Sequence, residues 1–431
     1  MNFRRMIKNP YVILLLIVFC LSIFFEIAPL FSDSAMFLHT VIAQQMTNNA
    51  LSTAACMGGF LAYCLMFAHN RKELTFTLVV GVVFEFFLIK YRLAFVSAFG
   101  QIVCVGPGLL AASIFSMLFC TAERLYRQDY QQVEKNLEVL GLAVAMPLFL
   151  AFNGLVGSKE TKVYDAYIYA LDSIWGTQPS FLITRVLRQS QWLHLTMYFI
   201  YMYLPIWMLL AQVFIYKDNE RLGLAHNKNL IPALSFILIA VTGAYLYKFF
   251  PAVGIEAYCG TRLFPYGQWP AADLNPMTVE APPFLPRNCM PSLHMAWIIA
   301  SFVSVYRAKP IYKIIGAVLV ALTALSTFSI GSHYISDLII SLPFCLAIMA
   351  ITMMEAPTGI RVGSAIFGTL ATFGWMYLFK HHMTALLHCH ITTAILLIAT
   401  DMIALGLFYV LCRQAKHNVE EIDNHIEVLA S

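Results

Sequence analysis

The feature that most constrains this chain is the recurrence of apolar runs about 20 residues long, separated by short polar breaks. A helix needs about 20 such residues to cross the hydrocarbon core of a bilayer. Lipid leaves open backbone groups unsatisfied, so such runs span as helices. The runs predict about twelve transmembrane helices, at 11–30, 51–69, 74–92, 102–121, 138–156, 192–216, 229–250, 291–306, 311–330, 334–354, 361–379 and 385–411. The expected fold is an all-α polytopic membrane bundle. Composition agrees: 60% of the 431 residues are hydrophobic and 12% are charged, where soluble domains carry roughly 25% charged residues.

Lys and Arg collect in alternate breaks, at Arg4, Arg5 and Lys8, then Arg71 and Lys72, and later Arg413 and Lys416. The positive-inside bias puts these breaks and both termini in the cytoplasm. Lys90, Arg92, Arg185 and Arg188 fall on the opposite side, so the bias is not clean. The N-terminal run has no small-x-small cleavage site after it and is read as a retained first span. The Pro- and aromatic-rich loop 251–290 then faces away from the cytoplasm, as a lid or entry loop. Segment 157–191 is too polar to span and is expected to lie along the outer interface as amphipathic helices. A net charge of +4, with no basic run bearing interleaved aromatics, argues against nucleic acid.

The ten cysteines include no Cys-x-x-Cys pair, and most lie inside apolar runs. Cys259 and Cys289 sit near the two ends of loop 251–290 and are candidates to pair in an oxidising compartment. His381, His382, His388 and His390 cluster without a carboxylate among them, which reads as interfacial histidine; no metal and no cofactor are expected. Glu85 and Asp401 fall inside spans, where they mark either a pathway or a hydrogen bond to a neighbouring helix.

Two short stretches break the apolar pattern. In the first, Asn288 to His294, Pro291 suits a first helical position, and the N–H groups after it form an anion site at the positive end of a helix. Ser292 adds a hydroxyl and His294 an imidazole. In the second, Ser326 to Asp337, His333 and Asp337 stand four residues apart and share a helix face. A carboxylate on one ring nitrogen sets the tautomer and leaves the other nitrogen as a nucleophile. Taken singly, each stretch also suits an ordinary helix start or a buried polar pair. The span count puts both at one membrane face, which favours a shared site.

Pro291, Ser292 and His294, followed by His333 and Asp337, resemble the second and third motifs of the type 2 phosphatidic acid phosphatase superfamily. The resemblance covers six spans between about 138 and 355. It implies a catalytic core there, four helices before it within 1–137, and two helices and a polar tail in 356–431. It also implies that His333 attacks phosphorus to form a phosphohistidine, that Asp337 orients His333, that His294 protonates the leaving alkoxide, and that Ser292 holds phosphate oxygens. Two arginines of the family pattern are missing: Ile255 stands where the first motif has Arg, and Thr327 where the third does. Lys248 keeps the first-motif lysine, and Arg262 and Arg287 are the candidate replacements in binding phosphate. The stretch Tyr247 to Gly254 and the run Gly331 to Tyr334 look more like the branch of inositol phosphorylceramide synthase-like phosphotransferases.

The expected function is a lipid phosphate phosphatase or phosphotransferase in a plasma or inner membrane, with its site on the non-cytoplasmic side. The two versions differ in the acceptor, water or an alcohol. A transporter that kept the bundle and lost catalysis is the reading of another class.

Overall fold

A computed structural model describes residue 23 and residues 50–67, 71–92, 106–156, 160–221, 230–282, 285–305 and 309–430. Apart from residue 23, the expected first span at 11–30 lies outside the described residues. In chain order the helices are α1 (Ala50–Met66), α2 (Arg71–Arg92), α3 (Pro107–Tyr126), α4 (Tyr130–Val156), α5 (Asp165–Asp172), α6 (Pro179–Leu187), α7 (Gln191–Met202), α8 (Leu204–Arg221) and α9 (Leu230–Phe249). They continue with α10 (Ile255–Cys259), α11 (Leu293–Ser304), α12 (Pro310–Ile330), α13 (Ile335–Thr352), α14 (Thr358–His381), α15 (Met383–His388) and α16 (His390–Ala430). One antiparallel pair, β1 (Lys162–Val163) with β2 (Val279–Glu280), sets Lys162 opposite Glu280.

Among the described residues, five helices are long and apolar enough to cross a membrane: α3, α12, α13, α14 and the His390–His417 part of α16. A sixth counts if α7 and α8 form one span. That pair replaces the single span expected at 192–216, because the helix breaks at Tyr203, just before Pro205. Pro205 has no N–H to bond the Tyr201 carbonyl one turn back, and its ring crowds that carbonyl. Helices α1, α9 and α11 are apolar but shorter. Side chains such as Ile314, Val318, Leu370, Ile391 and Met402 are large, apolar and exposed. Such a surface needs lipid around it, which fits an integral membrane protein.

The chain divides into two compact units. The first holds 1–155 and 202–233, the second 156–201 and 234–431. In the first, Cys56, Phe60, Leu110, Met117 and Ala143 build a core around Tyr63. The Tyr63 hydroxyl bonds Thr77 Oγ1 at 2.9 Å and Ser116 Oγ at 3.1 Å. Glu85 proves to be a capping group here: its carboxylate accepts the N–H groups of Gly106 (2.5 Å) and Gly108 (2.8 Å) at the start of α3. A carboxylate suits the orphan donors and the positive end of a helix.

In the second unit α13 is the central helix. It is buried over 72% of its apolar window, against 33% for α12 and 22% for α16. Small residues allow the close contacts: a Cβ on Gly368 of α14 would meet Pro343 O of α13 at 2.6 Å. Trp297 of α11 donates to Phe236 O of α9 at 3.1 Å, and Ser235 of α9 bonds Thr352 of α13 at 2.7 Å. These bonds satisfy polar groups that an apolar interior would otherwise leave unpaired.

Candidate active site

The chain enters α11 through a cis Met290–Pro291 bond. Ser292, not Pro291, sets the helix start. Its backbone is extended and its Oγ accepts the Met295 N–H at 3.4 Å, so it is the N-cap, and Leu293 is the first helical residue. The sequence expectation had placed Pro291 there. A serine side chain satisfies an orphan N–H that proline has no means to reach. His294 therefore lies in the first turn. It is buried, with its ring stacked on Tyr201 at 3.8 Å between centroids. Its Nε2 is buried without a hydrogen-bond partner.

The second stretch is positioned by a helix stop. At the end of α12 the Gly331 N–H bonds Phe328 O at 2.8 Å and the Ser332 N–H bonds Thr327 O at 3.3 Å, the paired pattern of a Schellman motif. Gly331 takes φ +77°, and a Cβ there would meet Glu256 and Phe264 at 2.7 Å. Only glycine fits both conditions. The turn sets His333 just ahead of α13 and Asp337 in its first turn.

His333 Nδ1 lies 2.8 Å from Asp337 Oδ2 and 3.1 Å from Cys289 O. With acceptors on that side, Nδ1 carries the proton. Nε2 is then the lone-pair nitrogen, and it faces Ser292 Oγ at 3.3 Å. The rings of His294 and His333 stand 6.1 Å apart between centroids. Four predicted residues, Ser292, His294, His333 and Asp337, are thus brought into one buried cluster. The starts of α11 and α13 meet there: the Ser292 N–H points at Asp337 O at 3.5 Å.

Cys289 enters the same cluster. Its Sγ donates to Asp337 Oδ2 at 2.7 Å. It does not pair with Cys259; both thiols are free. Burial, and then the neighbouring Asp337 carboxylate, push the Cys289 thiol well above its ordinary range, which keeps it a donor. Cys289, His333 and Asp337 present ligand-type atoms within 4.8 Å of one another. Those atoms are already engaged with each other on Asp337 Oδ2.

Two residues that sequence reasoning missed hold this cluster together. Segment 157–191, expected along the interface, instead carries two fully buried carboxylates on α5. Asp165 accepts the Val253 and Gly254 N–H groups, each at 2.9 Å, and the Tyr334 hydroxyl at 3.0 Å. Asp172 accepts the N–H groups of Ile335 (3.1 Å) and Ser336 (3.2 Å), and the hydroxyls of Ser336 (2.7 Å) and Ser180 (2.8 Å). Asp172 is therefore the cap of α13, supplied from across the fold. Burial pushes both carboxyls up to about 6, against the pull of these donors. The Asp165–Asp172 spacing of seven residues, one helix face, was the available signal. Gly254, at φ +95°, lets the turn into α10 pass Ser332, whose carbonyl oxygen would lie 2.4 Å from a Cβ.

The predicted cations differ in their surroundings. Arg287 is buried and donates to the carbonyls of Glu160 (2.9 Å), Ala281 (2.8 Å), Pro282 (2.7 Å) and Leu285, so it braces its own loop. Arg262 is exposed. Lys248 is exposed on the last turn of α9, over the Tyr245 ring at 5.9 Å. Arg188 of the α6 end donates to Ser329 O (2.7 Å) and Ile330 O (3.0 Å) and pairs with Glu256 at 2.6 Å. It closes the C-terminus of α12, where a cation suits the helix dipole. Arg185, the other cation of α6, donates to Pro265 O and Gly267 O and so ties down loop 251–290.

Residues 166–351 match the model of the PAP2 superfamily. The match takes in Asp172, Ser292, His294, His333 and Asp337 and begins one residue after Asp165. Together with the apolar helices, it fits a membrane phosphatase or phosphotransferase. No curated protein and no solved structure matches the chain.

Proposed function

We propose that this protein transfers a phosphoryl group of a lipid phosphate through a phosphohistidine on His333. The observation that carries the reading is the orientation of one ring: His333 Nδ1 held by Asp337 at 2.8 Å, with Nε2 turned to Ser292. The Nε2 lone pair attacks phosphorus and the bond from phosphorus to the lipid oxygen breaks. The leaving oxygen takes a proton from His294, whose unpartnered Nε2 is the free donor of the cluster. The acceptor then gives its proton to His294 and its oxygen attacks phosphorus; the phosphorus–nitrogen bond breaks, which restores His333. Asp337 stabilises the charge that His333 gains.

The site needs positive potential for the phosphate, and Arg287 is committed to four backbone carbonyls. The N-terminus of α11 supports another source, since the first N–H groups of α13 are already held by Asp172. Backbone N–H groups in the first turn of α11, with the Ser292 hydroxyl, take the phosphate oxygens. The Lys and Arg distribution supports a site on the non-cytoplasmic side.

The acceptor separates two versions of the reaction. Water makes the protein a phosphatase. A polyol makes it a phosphotransferase like the inositol phosphorylceramide synthase-like branch, which the run Gly331 to Tyr334 favours. The experiment is phosphate release from a panel of lipid phosphates by purified wild type and His333→Ala, with and without polyols. Release by wild type alone supports the reading. Product formed only with a polyol selects transfer. Equal inactivity of both across the panel sinks catalysis and leaves the transporter reading.

A further inference from the structure

A cavity of about 440 Å³ opens in the second unit, away from the Ser292–His333 cluster. Two helices join it to that cluster and fix its place. Helix α11 starts at the cluster and reaches the cavity in its last turn, with Phe302 and Val303. Helix α12 leaves the cavity in its first turn, with Lys313, and ends at the turn before His333. The helix between Lys313 and Ile330 spans on the order of 25 Å. The cavity is therefore at the opposite end of the bundle.

Helix α16 supplies the remaining wall along one stripe. Leu405, Phe408 and Tyr409 come first, then Cys412, Arg413 and Lys416. They recur at the spacing of a single helix face. The stripe changes chemistry along its length, apolar first and cationic last. Lys313 belongs to the cationic end, since it acts electrostatically on Cys412. Among the described residues, no carboxylate lines the cavity. Outside it the surface stays apolar: Ile314 and Val318 of α12, and Met402 of α16, are exposed.

A soluble anion has no use for the apolar half, and a neutral lipid has none for the cations. A zwitterionic headgroup would bring its own cation among three others. We propose that this cavity holds an anionic phospholipid of the leaflet opposite the Ser292–His333 site. Its phosphate sits among Lys313, Arg413 and Lys416, and one acyl chain lies along Leu405, Phe408 and Phe302. Basic side chains at the end of a span favour anionic headgroups in this way. The assignment does not depend on the phosphoryl-transfer reading.

The test is native mass spectrometry of the full chain in neutral detergent, titrated with dioleoyl phosphatidylglycerol or dioleoyl phosphatidylcholine. Wild type is expected to retain the anionic lipid roughly tenfold more strongly or better. The triple variant Lys313→Gln, Arg413→Gln, Lys416→Gln is expected to hold both lipids alike. Leu405→Trp keeps every charge and fills the apolar wall, and is expected to weaken retention of the anionic lipid. Arg124→Gln with Arg127→Gln, at the exposed end of α3, is expected to leave the preference intact. Equal retention of both lipids by wild type overturns the site. So does a preference that survives the triple variant, an anionic-lipid retention unchanged in Leu405→Trp, or a preference lost equally in the Arg124 and Arg127 control.

Discussion

The Cys289 thiol lies 2.7 Å from Asp337 Oδ2, the same oxygen that His333 Nδ1 approaches at 2.8 Å. One carboxylate oxygen thus holds both the loop that leads into α11 and the nucleophilic ring. Cys289→Ala removes one of the two donors. A lost hydrogen bond to a charged group contributes roughly 1.5–3 kcal/mol. The expected result is a lower kcat with little change in KM, partly restored by Cys289→Ser. Unchanged kcat in Cys289→Ala would sink the role.

Asp337→Asn keeps the size of the side chain and allows the amide to donate to Nδ1. That favours the wrong tautomer, with the proton on Nε2 where the lone pair is needed. Loss of such a carboxylate from a histidine site elsewhere reduces kcat by about 10⁴. A comparable fall in the rate of phosphohistidine formation is expected here, measured by rapid quench with labelled substrate.

His294→Gln separates proton donation from binding. General acid catalysis contributes about 10²–10⁴ in rate. The loss is expected to be large with an alkyl phosphate and small with a nitrophenyl phosphate, whose leaving group needs no proton. Equal losses on both substrates would point to packing against Tyr201 instead.

Asp165 and Asp172 make stability depend on pH. Both carboxyls stand at about 6 in the folded protein, above the ordinary 3.8. Between about pH 4 and 6 the folded state then binds more protons than the unfolded state, so stability falls as pH rises through that window. Above it the loss is complete and the profile flattens. The shift of about two units corresponds to roughly 3 kcal/mol per group. Melting curves in detergent from pH 4 to 7 are expected to show this slope, and it is expected to shrink in Asp172→Asn. A rise in stability across the same window in wild type would contradict the assignment.

Arg287→Gln distinguishes a loop brace from a phosphate ligand. Four carbonyls lose a buried donor. Each unsatisfied group costs about 1–3 kcal/mol. A lowered melting temperature is expected, with KM for lipid phosphate unchanged in the protein that stays folded. A large rise in KM without loss of stability would restore Arg287 as a phosphate ligand.

The sequence by itself determined the membrane character and the four-residue cluster. Both rest on local rules: apolar run length sets a span, and close spacing along the chain or a serine before a helix sets which groups can meet, although His333 itself stands ahead of α13 rather than on it. Ser292, His294, His333 and Asp337 were legible for that reason. The tertiary structure alone decided their surroundings. Asp172 caps a helix 163 positions along the chain, and no spacing rule reaches that far. Arg287 has a charge suited to phosphate, yet its geometry suits three carbonyls of its own loop and that of Glu160, and only packing chooses between them. Cys289 read as a disulfide candidate because composition shows which atoms are reactive, while the fold shows which atom they meet.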